Sequence, residues 1–333
     1  MREILDRVLD GSDLTVDEAD DLMGEITSGE HDPALVGALL AALRAKGESP
    51  EEVRGLARGM RRLALEPDLD PAGAVDVVGT GGDGSGSLNL STGAALLTAA
   101  CGARVVKHGN RSMSSRSGSA DVLEQLGVPI PLEEQGAGEH LERTGFTFLF
   151  APYYHPAMGA VVPIRKALGV RTVFNMLGPL TNPGSPDFLA VGAFSLSAGR
   201  LMADALSGTD TVRSFVFHGA NGWDEPTPIG PFHLFEVQPG EVRESIRDPR
   251  DHGLKRCDPA DLAGGTPEEN AEKLRSALSG EPGPHLDALK LGAGLALEVS
   301  GHARDLDDGI AQAEAAIGDG AASRLLDQLG ATS

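Results

Sequence analysis

The stretch Val75–Gly102 forces a strand, a glycine loop and a helix into immediate succession, and this constrains the fold more than any other part of the chain. Asp76–Val78 is short and rich in β-branched residues, the composition of a buried strand. It runs into five glycines between Gly79 and Gly86. A helix then starts near Ser91 or Thr92, either of which can cap it, and continues through Gly93–Cys101 to Gly102. Such a loop, leading into a helix N-terminus, offers unpaired backbone N–H groups at the positive end of a helix dipole. Those are the parts of an anion site. Asp83 inside the loop requires that the anion arrive with a cation or with hydroxyls to bind.

Gly79, Gly81 and Gly84 match the spacing of a dinucleotide fingerprint, but that reading needs an acidic residue ending the next strand. Here the next strand, Ala103–Val106, runs into Lys107, His108, Gly109, Asn110 and Arg111, which are mostly basic or polar. No Gly-Lys-Ser/Thr follows the glycines, so a P-loop is excluded as well. Residues 107–121 hold three cationic side chains, five serines and two glycines. In a doubly wound sheet both loops sit at the carboxyl ends of their strands and face one crevice. A solvated basic loop is the plain alternative. In so acidic a chain, a basic cluster opposite a glycine loop points instead to a multiply phosphorylated ligand, with Lys107 as a point charge.

The remainder sets the frame. At 333 residues the chain can bury two cores, or one large core with an appendage. Its 28 basic against 49 acidic residues give a formal charge of −21, which opposes bulk affinity for nucleic acid or anionic membranes. Cys101 and Cys257 have no metal-ligand spacing and suggest no disulfide framework. With no signal peptide and no long apolar run, the expected setting is cytoplasmic. Residues 1–66 read as four short helices, with a capping box at Thr15 and Glu18 and proline starts at Asp32-Pro33 and Ser49-Pro50. Their leucines exceed what four short helices can hide, which suggests a homodimer surface. Glu66–Pro71 reads as a hinge. Beyond it the rhythm is strand–loop–helix, with further strands at Phe146–Ala151, Arg213–His218 and Phe232–Val237. Helices are expected at His155–Leu168, Pro267–Ser279, His285–Val299 and Ala303–Ile317.

Asp224 and Glu225 follow the strand ending at His218, in a loop that Gly219 and Gly222 allow to turn sharply. Adjacent carboxylates repel, so they need solvent, a cation, or both. Hard oxygen ligands beside a diphosphate suit Mg²⁺, while an exposed acidic turn is the plain alternative. Trp223 reads as local packing and Arg165 as a helix-surface cation.

The motifs Gly79–Gly84, Asn89-Leu-Ser-Thr92, Lys107–Arg111, Ser114–Asp121, His155–Met158, Arg165, Phe174–Pro183 and Asp224-Glu225 occur in series along nearly the whole chain. In that order they resemble the anthranilate phosphoribosyltransferase family. The chain departs from the common pattern at Leu88, at Leu291–Gly294 and at Pro226. The resemblance implies an α/β fold: a small N-terminal α-helical domain (residues 1–72, joined by a segment near 154–183) plus a larger α/β domain (73–153 and 184–333) with a central, mostly parallel sheet. It implies transfer of the phosphoribosyl group of 5-phosphoribosyl 1-diphosphate to anthranilate in tryptophan biosynthesis.

The residues that would bind the sugar diphosphate are Gly79, Gly82, Asp83, Ser87, Asn89, Leu90, Ser91, Thr92, Lys107, His108, Gly109, Asn110, Arg111, Ser112, Met113, Ser114, Ser115 and Ser119. Gly79, Asn110 and Arg165 would hold anthranilate. Ser91, Asp224 and Glu225 would hold Mg²⁺, two ions per site, and no acid–base residue is assigned. His108 could face the acceptor or be structural. Two other readings remain: a related pentosyltransferase or phosphorylase with another aromatic acceptor, and a non-catalytic nucleic-acid-binding paralogue. Only an acidic acceptor needs a partner for Arg165, and the charge of −21 opposes nucleic acid.

Overall fold

The computed structural model describes residues 1–112 and 116–330. The N-terminal helices are α1 (Arg2–Leu9), α2 (Val16–Thr27), α3 (Pro33–Lys46) and α4 (Pro50–Arg62). Their starts follow the local chemistry that the sequence announces. Thr15 and Glu18 form a reciprocal capping box, as do Ser49 and Glu52, and the Asp32 side chain accepts from the Ala34 N–H at 2.8 Å. Helices α2 and α4 are tied by Asp20, which accepts from Arg58 at 2.5 Å and from Arg62 at 2.7 Å.

Among the described residues a seven-stranded sheet follows, in the order β3-β2-β1-β4-β5-β6-β7. Its strands are β1 (Val75–Gly79), β2 (Val105–Gly109), β3 (Phe146–Phe150), β4 (Phe188–Gly192), β5 (Arg213–His218), β6 (Phe232–Gln238) and β7 (Glu241–Arg247). The first five are parallel, and β6 and β7 form an antiparallel edge. The chain walks outward from β1 to β3 and then returns to lay β4 on β1's other side. The carboxyl ends of β1 and β4 therefore flank the switch point at which open α/β sheets bind ligands. Helices α5 (Leu90–Ala100), α7 (Pro267–Leu278), α8 (Pro284–Val299), α9 (Leu306–Gly318) and α10 (Ala321–Gly330) supply one apolar layer, packed on Val75, Val77, Ala190 and Phe215. Val78, Leu189, Val191 and Val216 point to the other face, where α6 (Leu196–Leu206) and the leucines of α2–α4 form a second core. Val161, Val173, Phe174 and Leu177 belong to that same core, so the segment after β3 packs on the N-terminal helices.

Several sequence expectations are corrected. Strand β2 begins at Val105 and includes Lys107, His108 and Gly109, because its residues pair one for one with Phe146–Phe150 of β3. Asn89, not Ser91 or Thr92, is the N-cap of α5, and it makes no side-chain cap bond. The expected helix His155–Leu168 is broken into a 3₁₀ turn, Pro156–Ala160, and a short helix Val162–Leu168 in which Pro163 sits in the first turn. Strands β4 and β7 went unread. β4 is only five residues long, and the charges of β7 (Glu241, Arg243, Glu244, Arg247) mask its alternation while protecting an edge. No described helix is long and apolar enough to cross a membrane.

Candidate active site

Gly79 and Gly192 stand opposite one another as the last residues of β1 and β4. Both lie against Asp224. A Cβ on Gly79 would come within 2.5 Å of the Asp224 Oδ2, and a Cβ on Gly192 would overlap the Asp224 carbonyl oxygen. Lacking side chains, the two glycines let the loop after β5 reach across the switch point and deliver a carboxylate to the glycine loop. There the Gly81 N–H donates to Asp224 Oδ2 at 2.5 Å and the Thr80 hydroxyl at 3.3 Å. The Asp224 N–H donates to Asp83 Oδ2 at 3.3 Å, and the Ser91 N–H to Glu225 Oε1 at 3.1 Å. Asn221, with φ of 59°, supplies the left-handed residue that this loop needs, and buried Trp223 anchors it in the core.

The three carboxylates are electrostatically expensive. Burial, and then the charge of Asp83, push the Asp224 pKa well above the carboxylate range. Burial followed by Asp224 does the same to Glu225. Beneath them lies Lys107, also buried, whose ammonium donates to the Val77 carbonyl. Burial lowers its pKa, while Asp76 and Glu225 act in the opposite sense. Asp76 is buried as well and its pKa is pushed up to about 6, chiefly by desolvation. It accepts from Asn182 Nδ2 at 2.9 Å and from the His108 N–H at 3.3 Å. Lys107 is thus a charge set between two acids under the crevice floor, not an open hook for phosphate.

His108 Nδ1 lies 3.2 Å from the Gly178 carbonyl, and its ring centroid is 5.2 Å from that of His155. Its pKa is pushed down to about 3, first by burial and then by His155. A neutral ring therefore donates from Nδ1 and leaves Nε2 as a buried acceptor without a hydrogen-bond partner among the described residues. Arg165 is half-buried with its guanidinium 5.3 Å from the centre of the Phe174 ring. No ion pair to it occurs among the described residues, and burial lowers its pKa.

The chain matches the family model of the glycosyl transferase family, a/b domain, over residues 71–323, and that family's helical bundle domain over residues 2–64. An anthranilate phosphoribosyltransferase of Desulforudis audaxviator is 45% identical over 329 residues, covering 99% of this chain and 95% of its own. That of Rhodopseudomonas palustris is 44% identical over 333 residues, covering 100% and 98%. The crystal structure of the Thermus thermophilus anthranilate phosphoribosyltransferase superposes with a TM-score of 0.92 at 42% identity, covering 98% of each chain. The chain belongs to the anthranilate phosphoribosyltransferase family. A more distant member, the Saccharomyces cerevisiae anthranilate phosphoribosyltransferase in complex with PRPP and Mg, has a TM-score of 0.83 at 28% identity, covering 95% of this chain and 92% of that one.

Within this anthranilate phosphoribosyltransferase fold, the crevice gathers Gly79, Gly82, Asp83, Ser91, Asp224 and Glu225. Asn89 braces the crevice: its Nδ2 donates to the Ser117 carbonyl at 3.1 Å, and its Oδ1 accepts from Asn270 at 2.8 Å. Ser87 accepts from Ser85 and bridges to Ala263, Leu90 is buried in the core, and the buried Thr92 hydroxyl has no hydrogen-bond partner among the described residues. Asp121, on the helix Ser119–Gln125, accepts from the N–H groups of Ser112 at 3.0 Å and Gly118 at 2.9 Å. Ser119 donates to the carbonyl of Asn110, itself exposed.

Arg111 departs from expectation. Its guanidinium is engaged by Asp121 at 3.2 Å and Glu124 at 2.6 Å, so its charge is largely spent within the protein. Met113, Ser114 and Ser115 lie outside the described residues. Sequence reasoning missed Asp76, Asn182 and Arg171. The last donates to the Gly82 carbonyl and stacks 4.3 Å from the Phe194 ring centre, holding the glycine loop from the helical side. The plain alternative of an exposed acidic turn does not hold at Asp224, which is 6% exposed.

Among the described residues no three His, Cys, Asp or Glu side chains are arranged as a complete metal shell. The donor set nevertheless suits Mg²⁺, which keeps waters and substrate oxygens as ligands. Asp224, raised by burial and by Asp83, and Glu225, raised by burial and by Asp224, are relieved by a divalent cation.

Proposed function

We propose that the crevice at the carboxyl ends of β1 and β4 is where this member of the family transfers the phosphoribosyl group of 5-phosphoribosyl 1-diphosphate to the amine of anthranilate. The products are N-(5-phosphoribosyl)anthranilate and diphosphate, a step of tryptophan biosynthesis. The single observation that carries this placement is Asp224, held against the glycine loop by the paired glycines Gly79 and Gly192. Another acceptor and a nucleic-acid-binding role are not favoured by the relatives, nor by the formal charge of −21.

In this reading the glycine loop and the first turn of α5 present N–H groups to the sugar diphosphate. Asp224, Glu225 and Ser91 would hold Mg²⁺, two ions per site; the yeast relative's complex with PRPP and Mg supports the use of the metal. When bound, the metal neutralises charge on the departing diphosphate. Arg165, whose guanidinium has no carboxylate partner among the described residues, pairs the carboxylate of anthranilate, with Asn110 and the Gly79 backbone beside it. Holding the amine in line behind C1 supplies much of the rate, because the aromatic amine is already a usable nucleophile. Neutral His108 serves as a polar wall and not as a cation.

The small domain would be discontinuous: residues 1–72 with the segment near 154–183, whose Val161, Val173 and Phe174 share its core. Two copies would pair through it, since Leu9 (65% exposed) and Val170 (52%) lie on these parts. A cytoplasmic setting suits the acidic surface. The direct assay is the loss of anthranilate fluorescence on adding 5-phosphoribosyl 1-diphosphate and Mg²⁺. A chain that leaves the fluorescence unchanged under those conditions would sink the reading.

A further inference from the structure

A second cleft, this one cationic, lies at the other end of the sheet. It is walled by Arg54 and Arg61 of α4 on one side, and by Ser185, Leu189, Thr209 and Thr211 on the other. Leu189 is the second residue of β4, and Thr211 precedes β5 by two positions, so the cleft sits at the amino-terminal ends of strands whose carboxyl ends form the crevice. Its enclosed part has about 20 Å³ of room, on the order of one water molecule, and about 410 Å³ in all when its open mouth is included. That shape admits the head of a small oxyanion and leaves any remainder of the molecule outside.

The charges in the cleft are unbalanced. Arg61 makes no ion pair or side-chain hydrogen bond among the described residues, and burial lowers its pKa, opposed only by the more distant charge of exposed Asp210. Arg54 donates from Nε to the Ala205 carbonyl at 3.1 Å, and its closest carboxylate, Glu51, is 4.0 Å away. A desolvated guanidinium without an anion is costly. In addition, Ser185 holds a φ of 45°, a strained conformation for a residue with a side chain, at the mouth of the same cleft. Thr209 and Thr211 add hydroxyls, with 3.0 Å between their Oγ1 atoms.

We infer that this cleft is a binding site for a small oxyanion, a phosphate or a carboxylate group, gripped by Arg54 and Arg61 between the helical layer and the amino-terminal ends of β4 and β5. The anion supplies the counter-charge that Arg61 lacks and ties α4 to the loop after α6. Guanidinium pairs match such groups in two-pronged fashion.

The test measures melting temperature with 5-phosphoribosyl 1-diphosphate and Mg²⁺ present, so that the crevice is filled. Inorganic phosphate, acetate and sodium chloride are compared at matched ionic strength. Phosphate or acetate should raise the melting temperature beyond the chloride control, and whichever does so names the source. Arg61→Met should weaken the apparent affinity for that anion about 10-fold or more, the loss expected for one charge-assisted contact, while Arg61→Lys retains part of it. Without anion, Arg61→Met should be at least as stable as the parent, since a half-buried unpaired charge has gone; a purely structural Arg61 would make the variant less stable. Selenate diffused into crystals should give an anomalous peak between the two arginines. A shift no greater than that of chloride, an unchanged affinity in Arg61→Met, or selenate confined to the crevice would each overturn the site. The readouts are binding and location, so they stand or fall separately from phosphoribosyl transfer.

Discussion

The backbone of Asp224 rests so closely on Gly192 that a Cβ there would overlap the Asp224 carbonyl oxygen. A residue at the end of a central strand thereby sets the position of a carboxylate that follows the next strand. Gly192→Ala should displace the Asp224 loop by an ångström or more. Misplacement on that scale costs about 100-fold in kcat/KM. Steady-state kinetics should show this loss while circular dichroism still reports a folded protein. A variant with unchanged kinetics would mean that the loop position is immaterial to turnover.

Asp224→Asn combined with Glu225→Gln keeps the shape and removes two repelling acids. Turnover that depends on Mg²⁺ should vanish. The metal-free melting temperature should hold or rise, because buried like charges are gone. Near-normal rates at limiting Mg²⁺ would refute the metal assignment.

Arg165 and Lys107 should fail in different ways. Arg165→Ala removes a partner for one carboxylate and should lower kcat/KM for anthranilate by roughly 30- to 1000-fold, an energy on the order of 2–4 kcal/mol. The KM for the sugar diphosphate should move far less. Lys107→Met leaves Asp76 and Glu225 without their buried cation, so the loss should be in stability first, about 3–5 kcal/mol by denaturant titration. Full stability in that variant would place the ammonium elsewhere.

Acid stability should track the two buried histidines. Burial holds His108 near pKa 3 and His155 near 4, below the ordinary 6.5. Their folded-state pKa values are depressed, so the unfolded chain binds the protons more readily. Their contribution is complete above about pH 6.5 and is lost as pH falls toward 4 and 3. Each histidine should add a slope approaching about 1.4 kcal/mol per pH unit in that window. His155→Gln keeps a donor for the Thr181 carbonyl, which His155 Nε2 meets at 3.1 Å. Urea titrations from pH 4 to 7 should show parent and variant differing by about that slope, the opposite contribution of the raised acids Asp76, Asp224 and Glu225 being common to both, and an identical slope would exonerate His155.

The helical layer should hold two copies together. Light scattering at micromolar concentration should report a dimer, and Leu9→Asp with Val170→Asp should shift it toward monomer. A monomeric parent would end this proposal.

Much of this was legible in the sequence because it rests on local chemistry. Thr15 and Glu18 cap α2 from three residues apart, and the strand–glycine–helix unit at Val75–Gly102 specifies its own turns. The serial motifs pointed to the family, and the relatives bear that out. Strand β4 and the full extent of β2 were illegible, since pairing with neighbours, not propensity, defines them.

The sequence by itself named the candidates for the chemistry: the glycine loop, Asp224 with Glu225 and, through the family resemblance, Arg165. Only the tertiary structure decided what state they are in. The Ser91 amide meets Glu225 across 134 residues, and Asn182 meets Asp76 across 106. Arg111 is drawn away from the crevice by Glu124, and Lys107 is drawn beneath it by Asp76 and Glu225. A side chain's charge is written in its own formula. Its pKa and its free valence depend on the partners and the solvent that folding brings to it or removes, and those are set by distances in space that no spacing along the chain encodes.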